Sequence, residues 1–159
     1  MLETKQALIP LPSRRATTRF GVKIAHCVAP GDLLILTGDL GAGKTFLSRS
    51  IARELGVGHE VRFTSPTFTL VHQYPARLAL VHADLYRIGA DQSISDLDLR
   101  EMRTDGAVLL VDWGDPHLSE LGGDALFIHI DLDAPGRRAR LRATGPRSQQ
   151  LLDDLKREQ

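Results

Sequence analysis

Features that would place a protein outside the cytosol are largely missing from this chain. It has one cysteine, Cys27, which cannot form an internal disulfide. No apolar run of about 18 residues and no charged leader followed by an apolar stretch occurs, so the sequence predicts neither a membrane span nor a secretory signal. We therefore expect a cytosolic protein without membrane contact.

A net charge is also missing, because 20 basic and 20 acidic residues cancel. The chain as a whole is therefore not attracted to nucleic acid or to an anionic membrane, and any RNA contact must be local or indirect. One group of arginines near the C-terminal end could meet RNA phosphates or an acidic partner surface. It comprises Arg137, Arg138, Arg140, Arg142 and Arg147. The alternation at positions 138, 140 and 142 is equally what a strand with one solvated face requires.

Repeats and low-complexity tracts are absent, and 159 residues with 42% hydrophobic content suit one hydrophobic core. We predict a single domain over residues 1–159. Residues 1–12, which end in the sequence IPLP, read as an extended N-terminal arm. Ser13 or Thr17 then caps a first helix.

What the sequence does contain is the pattern of an α/β domain. Residues 33–36 form a continuous apolar run, which is typical of a strand covered on both faces, and a helical stripe follows over residues 46–55. Residues 67–74 and 78–86 have hairpin spacing. Further segments read as a weak helix at 95–103, strands at 108–111, 126–132 and 138–143, and a closing helix at 148–156. The predicted fold class is α/β, with a mixed, mainly parallel sheet, an antiparallel hairpin and helices on both faces.

The segment GDLGAGKT, residues 38–45, matches the pattern G-x-x-x-x-G-K-[ST] between the predicted strand and helix. Backbone N–H groups and a helix N-terminus can hold a polyphosphate, and glycines allow the backbone to turn inward around it. The predicted nucleotide-binding residues of this loop are Gly41, Ala42, Gly43, Lys44 and Thr45. Lys44 would add a cation at the β and γ phosphates, and the Thr45 hydroxyl would bind Mg²⁺.

Magnesium in such proteins needs a second ligand, usually an acid at the end of a buried strand beside the loop strand. Asp112 ends the apolar run at 108–111 and fits that description, although an Asp in this place can also simply end a strand and cap a turn. Asp84 follows the apolar segment at 78–81. We expect the two acids to act together.

Asparagine is absent from the chain. GTPases of the Ras type read guanine with an Asn-Lys-x-Asp loop, which this sequence cannot contain. ATP is therefore the favoured nucleotide, although this argument excludes one way of reading guanine and does not identify adenine.

From residue 17 to about residue 138 the chain resembles one family, the bacterial ATPase TsaE, formerly YjeE, which takes part in making threonylcarbamoyladenosine in tRNA. The similar motifs are T-x-x-x-G at 17–21, PGD at 30–32, the glycine loop with arginine at 49, SPTF at 65–68 before tyrosine at 74, HADLYR at 82–87 and the strand ending in DW at 112–113. The spacing between SPTF and HADLYR carries most of the resemblance.

The resemblance implies that the fold is a single P-loop NTPase domain with a mixed sheet. It also implies weak ATP hydrolysis by the isolated protein and a complex with the partners TsaD and TsaB. The partners would carry the threonylcarbamoyl transfer, and the ATPase would be needed for repeated turnover.

The resemblance also implies roles for individual residues. Lys44 would hold the phosphates, Thr45 and Asp112 would bind Mg²⁺, and Asp84 would orient or activate water. Thr17 would lie near the nucleotide base. The loop containing Ser65 and Thr67 would respond to the γ-phosphate, as a switch does, with Thr67 as its polar contact.

Two positions depart from the family pattern. The family usually has Glu at the position of Asp112, so the carboxylate here is one methylene shorter and can bind the metal directly or through water. A second threonine usually follows the Lys-Thr pair, where this chain has Phe46. The N–H of Phe46 remains available to the nucleotide, but the hydroxyl is missing.

Several readings stay open from the sequence. Trp113 either lies beside the metal site or covers the core at a strand end. His82 either assists catalysis or partner docking, or is simply hydrogen-bonded. The alternative function is a small-molecule P-loop kinase, although no convincing arginine-bearing lid segment is found. A switch that binds ATP, with incidental hydrolysis, is a third reading.

Overall fold

The order of elements along the chain is that of an α/β domain in the computed structural model, which describes residues 5–39, 41–66 and 70–157. The strands are β1 (Gln6–Leu11), β2 (Leu33–Thr37), β3 (Val71–Tyr74), β4 (Leu80–Asp84), β5 (Val108–Asp112), β6 (Leu126–Asp133) and β7 (Gly136–Ala143). The helices are α1 (Arg14–Cys27), α2 (Lys44–Glu54), α3 (Leu99–Thr104) and α4 (Pro146–Arg157), with short 3₁₀ turns at Ser95–Leu97 and Asp115–His117.

The strands form one sheet in the order β1-β7-β6-β2-β5-β4-β3. The central strands β6, β2, β5 and β4 are parallel, whereas β7 and β3 are antiparallel to their neighbours. β1 is antiparallel to β7 and so runs in the same direction as the central strands. The predicted mixed, mainly parallel sheet and the β3–β4 hairpin are confirmed.

The continuous apolar run in β2 is explained by cover on both faces of the sheet. Leu34 and Leu36 face the core shared with α1, α2 and α4. Leu33 and Ile35 face the opposite core, to which α3 and its neighbouring turns contribute. Since both faces are covered, every position of this strand segment is apolar. The predicted helices on both faces are therefore confirmed.

The segment predicted as an extended arm is an edge strand in the structure. Its residues from Gln6 to Leu11 pair with β7, and Ile9 and Leu11 are buried with alternate spacing. The prolines discourage a strand prediction, but Pro10 lies in an edge strand, where a missing N–H is tolerated. Residues 1–4 lie outside the described part of the chain.

Two helix boundaries are clearer in the structure than in the sequence. Ser13, and not Thr17, caps α1, because its side chain accepts a hydrogen bond from the Ala16 N–H at 3.1 Å. The predicted helix at 95–103 is divided into a 3₁₀ turn and the short α3. Asp98 between them has a left-handed backbone with φ of 57°, which interrupts a regular helix.

A buried ion pair connects the start of β2 to the last helix. Asp32 is 3% exposed and accepts from Arg147 Nε at 2.8 Å, from Arg147 Nη2 at 2.9 Å and from the Ala29 N–H at 2.8 Å. The hydrogen bond to Asp32 raises the pKa of Arg147. Both carboxylate oxygens of Asp32 are thus satisfied within the chain.

Among the helices of the described ranges, none has the length and apolar character needed to cross a membrane.

Candidate nucleotide-binding site

The glycine loop lies between the central strand β2 and the N-terminus of α2, as predicted. Gly38 has φ of 136°, and a Cβ atom there would lie 2.5 Å from the carbonyl oxygen of Ile130 on β6. Gly43 has φ of 108° and directly precedes α2. Only glycine adopts such backbone conformations readily, so the sequence pattern of the loop follows from its shape.

The first turn of α2 presents backbone donors without helical acceptors. The first α-helical hydrogen bond of the helix runs from the Leu47 N–H to the Gly43 carbonyl at 2.9 Å. The N–H groups of Lys44, Thr45 and Phe46 precede it, and Gly43 has no side chain to cap them. Together with the helix dipole, these N–H groups suit an anion.

Lys44 folds back over the loop. Its Nζ donates to the carbonyl oxygens of Gly38 at 2.6 Å and Asp39 at 3.4 Å, and it lies 5.1 Å from the centre of the Trp113 ring. A ligand phosphate at the loop would offer the ammonium a stronger, charged acceptor than these carbonyls.

A cleft of about 610 Å³ opens beside the loop. It brings together most of the predicted site residues, which are Gly41, Gly43, Lys44, Thr45, Phe46, Ser65, Asp84 and Asp112. Asp39, Tyr86, Arg87 and Trp113 complete its lining. Thr67 is outside the residues that the structure describes, so its predicted contact stays a prediction.

The two predicted acids lie side by side because β4 and β5 are parallel neighbours. Asp84 is the direct register partner of Asp112, at the carboxyl ends of both strands. Asp84 accepts from the Ser65 hydroxyl at 3.2 Å through Oδ2 and from the Tyr86 N–H at 3.0 Å through Oδ1. Ser65 of the predicted switch-like loop is therefore hydrogen-bonded to the acid that is predicted to orient water.

Asp112 differs from Asp84 in its burial and its partners. It is 3% exposed, and its Oδ2 lies 3.2 Å from Nε2 of His82. Its Oδ1 is buried and has no hydrogen-bond partner among the described residues. A buried anionic oxygen without a partner is costly, and a cation at the cleft would offset that cost. Asp112 and Thr45 line the same cleft, and their side-chain oxygens are the kind of ligand that Mg²⁺ prefers, so they fit the metal expected from the sequence.

A second, smaller cleft of about 220 Å³ lies at another side of the loop. Thr17, Ala42, Gly43 and Phe46 contribute to it, with the start of α1 and the turn between β6 and β7. The Arg14 guanidinium stacks over the Phe46 ring, 5.3 Å from its centre. This cleft places Thr17 next to the loop, where the sequence resemblance expects the nucleotide base.

Arg137 is a site residue that the sequence reading missed. Its Nε donates to the Ala42 carbonyl at 3.1 Å and its Nη2 to the Gly41 carbonyl at 3.5 Å, so it supports the loop from the start of β7. The residues are 95 positions apart, and no local pattern indicates the contact.

The other C-terminal arginines also have partners within the chain. Arg140 and Arg138 approach Asp131 at 2.8 and 3.9 Å, and Arg142 stacks on the Phe127 ring at 4.3 Å. The hydrogen bond from Arg140 lowers the pKa of Asp131. These contacts favour the reading of the alternating arginines as a solvated strand face.

Trp113 lies at the cleft. Its backbone has a left-handed φ of 60°, its N–H donates to the Leu36 carbonyl at 3.0 Å, and its ring is 5.4 Å from that of Tyr86. Tyr86 is 69% exposed at the rim. Of the two readings from the sequence, the geometry favours the one that puts Trp113 beside the site.

The central parallel strand, the glycine loop and the helix behind it define an α/β domain whose loop has the sequence pattern of a P-loop. The family described as "Threonylcarbamoyl adenosine biosynthesis protein TsaE" matches residues 11–140. The chain belongs to this TsaE family.

Similar proteins agree with that assignment. The tRNA threonylcarbamoyladenosine biosynthesis protein TsaE of Treponema pallidum is 34% identical over 126 residues, which cover 79% of this chain and 92% of that protein. The protein of the same name from Streptomyces coelicolor is 41% identical over 115 residues, covering 70% and 76%. The crystal structure of Bacillus subtilis YdiB superposes with a TM-score of 0.83 at 29% identity and covers 99% of both chains.

Proposed function

We propose that this protein is a P-loop ATPase required for the threonylcarbamoyladenosine modification of tRNA. It hydrolyses ATP weakly alone and resets the complex of TsaD and TsaB for further turnover. The observation that carries the proposal is the single cleft in which the glycine loop faces two adjacent acids, one of them with a buried, unsatisfied oxygen. Membership of the TsaE family supplies the pathway.

In this proposal the loop N–H groups and Lys44 bind the phosphates. Lys44 exchanges its contacts with the Gly38 and Asp39 carbonyls for phosphate oxygens on binding. Thr45 and Asp112 hold Mg²⁺. When bound, the metal neutralises charge on the β and γ phosphates.

Asp84 is the residue proposed to place the attacking water. Its Oδ2 accepts from Ser65, so a shift of the SPTF segment would free this oxygen for water. Through this one hydrogen bond, the switch role predicted for the loop containing Ser65 would be coupled to hydrolysis.

The second cleft is proposed as the place of the base, with Thr17 and the stacked Arg14 and Phe46 at its edge. ATP is the proposed nucleotide because the chain lacks the asparagine needed for Ras-type guanine reading. The partners TsaD and TsaB are proposed to carry the threonylcarbamoyl transfer and to raise the ATPase rate.

The test is ATP hydrolysis by the protein alone and with TsaD, TsaB and tRNA. We expect slow release of inorganic phosphate alone and faster release in the full assembly. Lys44→Ala should reduce hydrolysis by about 100-fold or more without unfolding, because it removes a charged donor to the transferred phosphate. Lys156→Ala, which removes an exposed lysine in α4, is the matched control and should be unaffected.

An unchanged rate in the full assembly would contradict the proposal. Phosphate appearing on a small-molecule acceptor would favour the kinase instead. Asp84→Asn separates an ATPase from a binding-only switch, since we expect it to bind the partners but to lose tRNA modification. Retained modification at an undetectable hydrolysis rate would favour the switch.

A further inference from the structure

His82 is a buried histidine directly beside the proposed metal ligand. It lies on β4, is 0% exposed, and its Nε2 is 3.2 Å from Asp112 Oδ2. In the parallel ladder His82 is opposite Leu110, so its ring reaches forward along β5 to the acid that ends the strand. The motif HADLYR therefore contributes to the site through two residues, His82 and Asp84.

The hydrogen bond fixes the form of the imidazole. An ionised carboxylate can only accept, so Nε2 carries the hydrogen and donates it to Asp112. The other ring nitrogen, Nδ1, is buried and has no hydrogen-bond partner in the described ranges. The geometry thus assigns the hydrogen of this bond to Nε2.

Aromatic packing holds the ring in its orientation. The Phe63 ring stacks on the His82 ring, with the ring centres 5.1 Å apart and an angle of 6° between the planes. The Tyr74 ring in turn stacks on Phe63, with the ring centres 5.0 Å apart. The Phe63 carbonyl accepts from Arg49 Nη2 at 3.3 Å, which connects the stack to α2 behind the glycine loop. Tilting the imidazole out of this plane would break the stacking.

We propose that His82 is a positioning residue that sets the Asp112 carboxylate for Mg²⁺. It holds Oδ2 in place and leaves Oδ1, the oxygen without a partner, for the metal or for a water bound to the metal. A hydrogen bond from a neighbouring side chain can fix the orientation of a metal-binding carboxylate in this way. The inference rests on the proposed function, because it takes Asp112 as the magnesium ligand.

The test compares two substitutions of His82. His82→Phe keeps an aromatic ring against Phe63 but removes the donor, whereas His82→Gln returns an N–H near the position of Nε2. The measurement is ATP affinity by calorimetry over a series of Mg²⁺ concentrations, with a parallel titration in EDTA. In the Phe variant we expect the half-effective Mg²⁺ concentration to rise about tenfold to 100-fold, with recovery in the Gln variant to within about threefold. Affinity in EDTA should be the same for all.

Two controls separate this inference from the proposed function. His72→Phe changes the histidine opposite His82 in the β3–β4 ladder and should leave the Mg²⁺ dependence unchanged. Asp112→Asn should raise the half-effective Mg²⁺ concentration at least as much as His82→Phe. If Asp112→Asn has no effect, the proposed metal site is wrong; if it acts and His82→Phe does not, only the positioning role is wrong.

A measurement on the unmodified protein covers the case in which His82→Phe fails to fold. Long-range ¹H–¹⁵N correlation spectra distinguish the two neutral imidazole forms. We expect the His82 ring to carry its hydrogen on Nε2 and its Nε2 resonance to shift when Mg²⁺ is added with ADP. A ring protonated on Nδ1 alone, or a resonance that does not respond to Mg²⁺, would overturn the inference.

Discussion

Two aspartates at opposite ends of the same pair of strands have the same burial and very different surroundings. Asp32, before β2, and Asp112, at the end of β5, are each 3% exposed. Asp32 has Arg147 on both oxygens and the Ala29 N–H in addition. Asp112 has His82 on one oxygen and, in the part of the chain described, nothing on the other.

The difference separates a carboxylate that is satisfied within the chain from one that is proposed to bind a metal. A buried charge is costly unless partners surround it, and the chain supplies all of them at Asp32. At Asp112 the described part of the chain supplies a partner for only one carboxylate oxygen, so a bound cation could be the partner of the other. The sheet therefore has a satisfied end that contributes to stability and an unsatisfied end that is available for function.

The largest effect should come from removing the ion pair between Asp32 and Arg147. Arg147→Met leaves Asp32 buried without its cation and should lower the free energy of unfolding by about 3 kcal/mol, the low end for such pairs because Arg147 is 32% exposed. Urea denaturation measures the change. Asp32→Asn combined with Arg147→Met should recover part of it. A loss below about 1 kcal/mol would show that the pair is no more than a surface contact.

The opposite result is expected at Asp112. Asp112→Asn should reduce magnesium-dependent ATP hydrolysis by about 100-fold, which corresponds to about 2.7 kcal/mol in the barrier. Because the charge it removes is only half satisfied, the free energy of unfolding should stay equal or rise. Phosphate release and urea denaturation on the same preparation check both. A variant that loses stability as Arg147→Met does would remove the distinction between the two acids.

A smaller effect is expected where the loop is supported from the side. Arg137→Ala removes the donor to the Ala42 and Gly41 carbonyls and should weaken ATP binding about tenfold, or about 1.4 kcal/mol. Arg138→Ala, one residue along the same strand, is the control and should leave ATP affinity unchanged. Calorimetry measures the ATP affinity of both variants. Equal losses of affinity would show that the effect comes from the loss of one positive charge and not from the contacts of Arg137 with the loop.

The smallest effect concerns Asp124, whose carboxylate, like that of Asp32, has hydrogen-bond partners within the chain on both oxygens. Burial acts to raise the pKa of Asp124, but hydrogen bonds from the N–H groups of Ser148 and Arg147 outweigh it, and the pKa is lowered. Its contribution is therefore present above the unfolded pKa and is lost as pH falls through the folded one. Asp124→Asn should cost about 1 kcal/mol at pH 7 and make acid unfolding less steep below about pH 4. The urea midpoint measured as a function of pH tests this prediction, with a substitution of an exposed aspartate, Asp91→Asn, as the control. If the midpoints of Asp124→Asn and of the unmodified protein fall equally steeply at low pH, the prediction is wrong.

Local patterns in the sequence predicted the parts of the site that depend on short stretches of chain. The apolar run at 33–36, the loop at 38–45 and the strand ends at Asp84 and Asp112 follow from periodicity and spacing, and the parallel order of β4 and β5 then brings the acids together.

The contacts that decide the roles of the buried acids are long-range and left no local pattern. Arg147 pairs with Asp32 across 115 positions, and His82 meets Asp112 across 30. Such pairs depend on how strands and helices are arranged in space. The edge strand β1 was missed for a similar reason, since it is stabilised by pairing with β7 from the far end of the chain.

The packing of Gly38 has a practical consequence for anyone who alters the loop to accept a different ligand. This glycine touches the backbone of β6, not the cleft, since a Cβ atom would lie 2.5 Å from the Ile130 oxygen. A mutagenesis library should therefore keep codon 38 fixed. Diversity is better placed at Asp39 and Phe46, which line the open cleft.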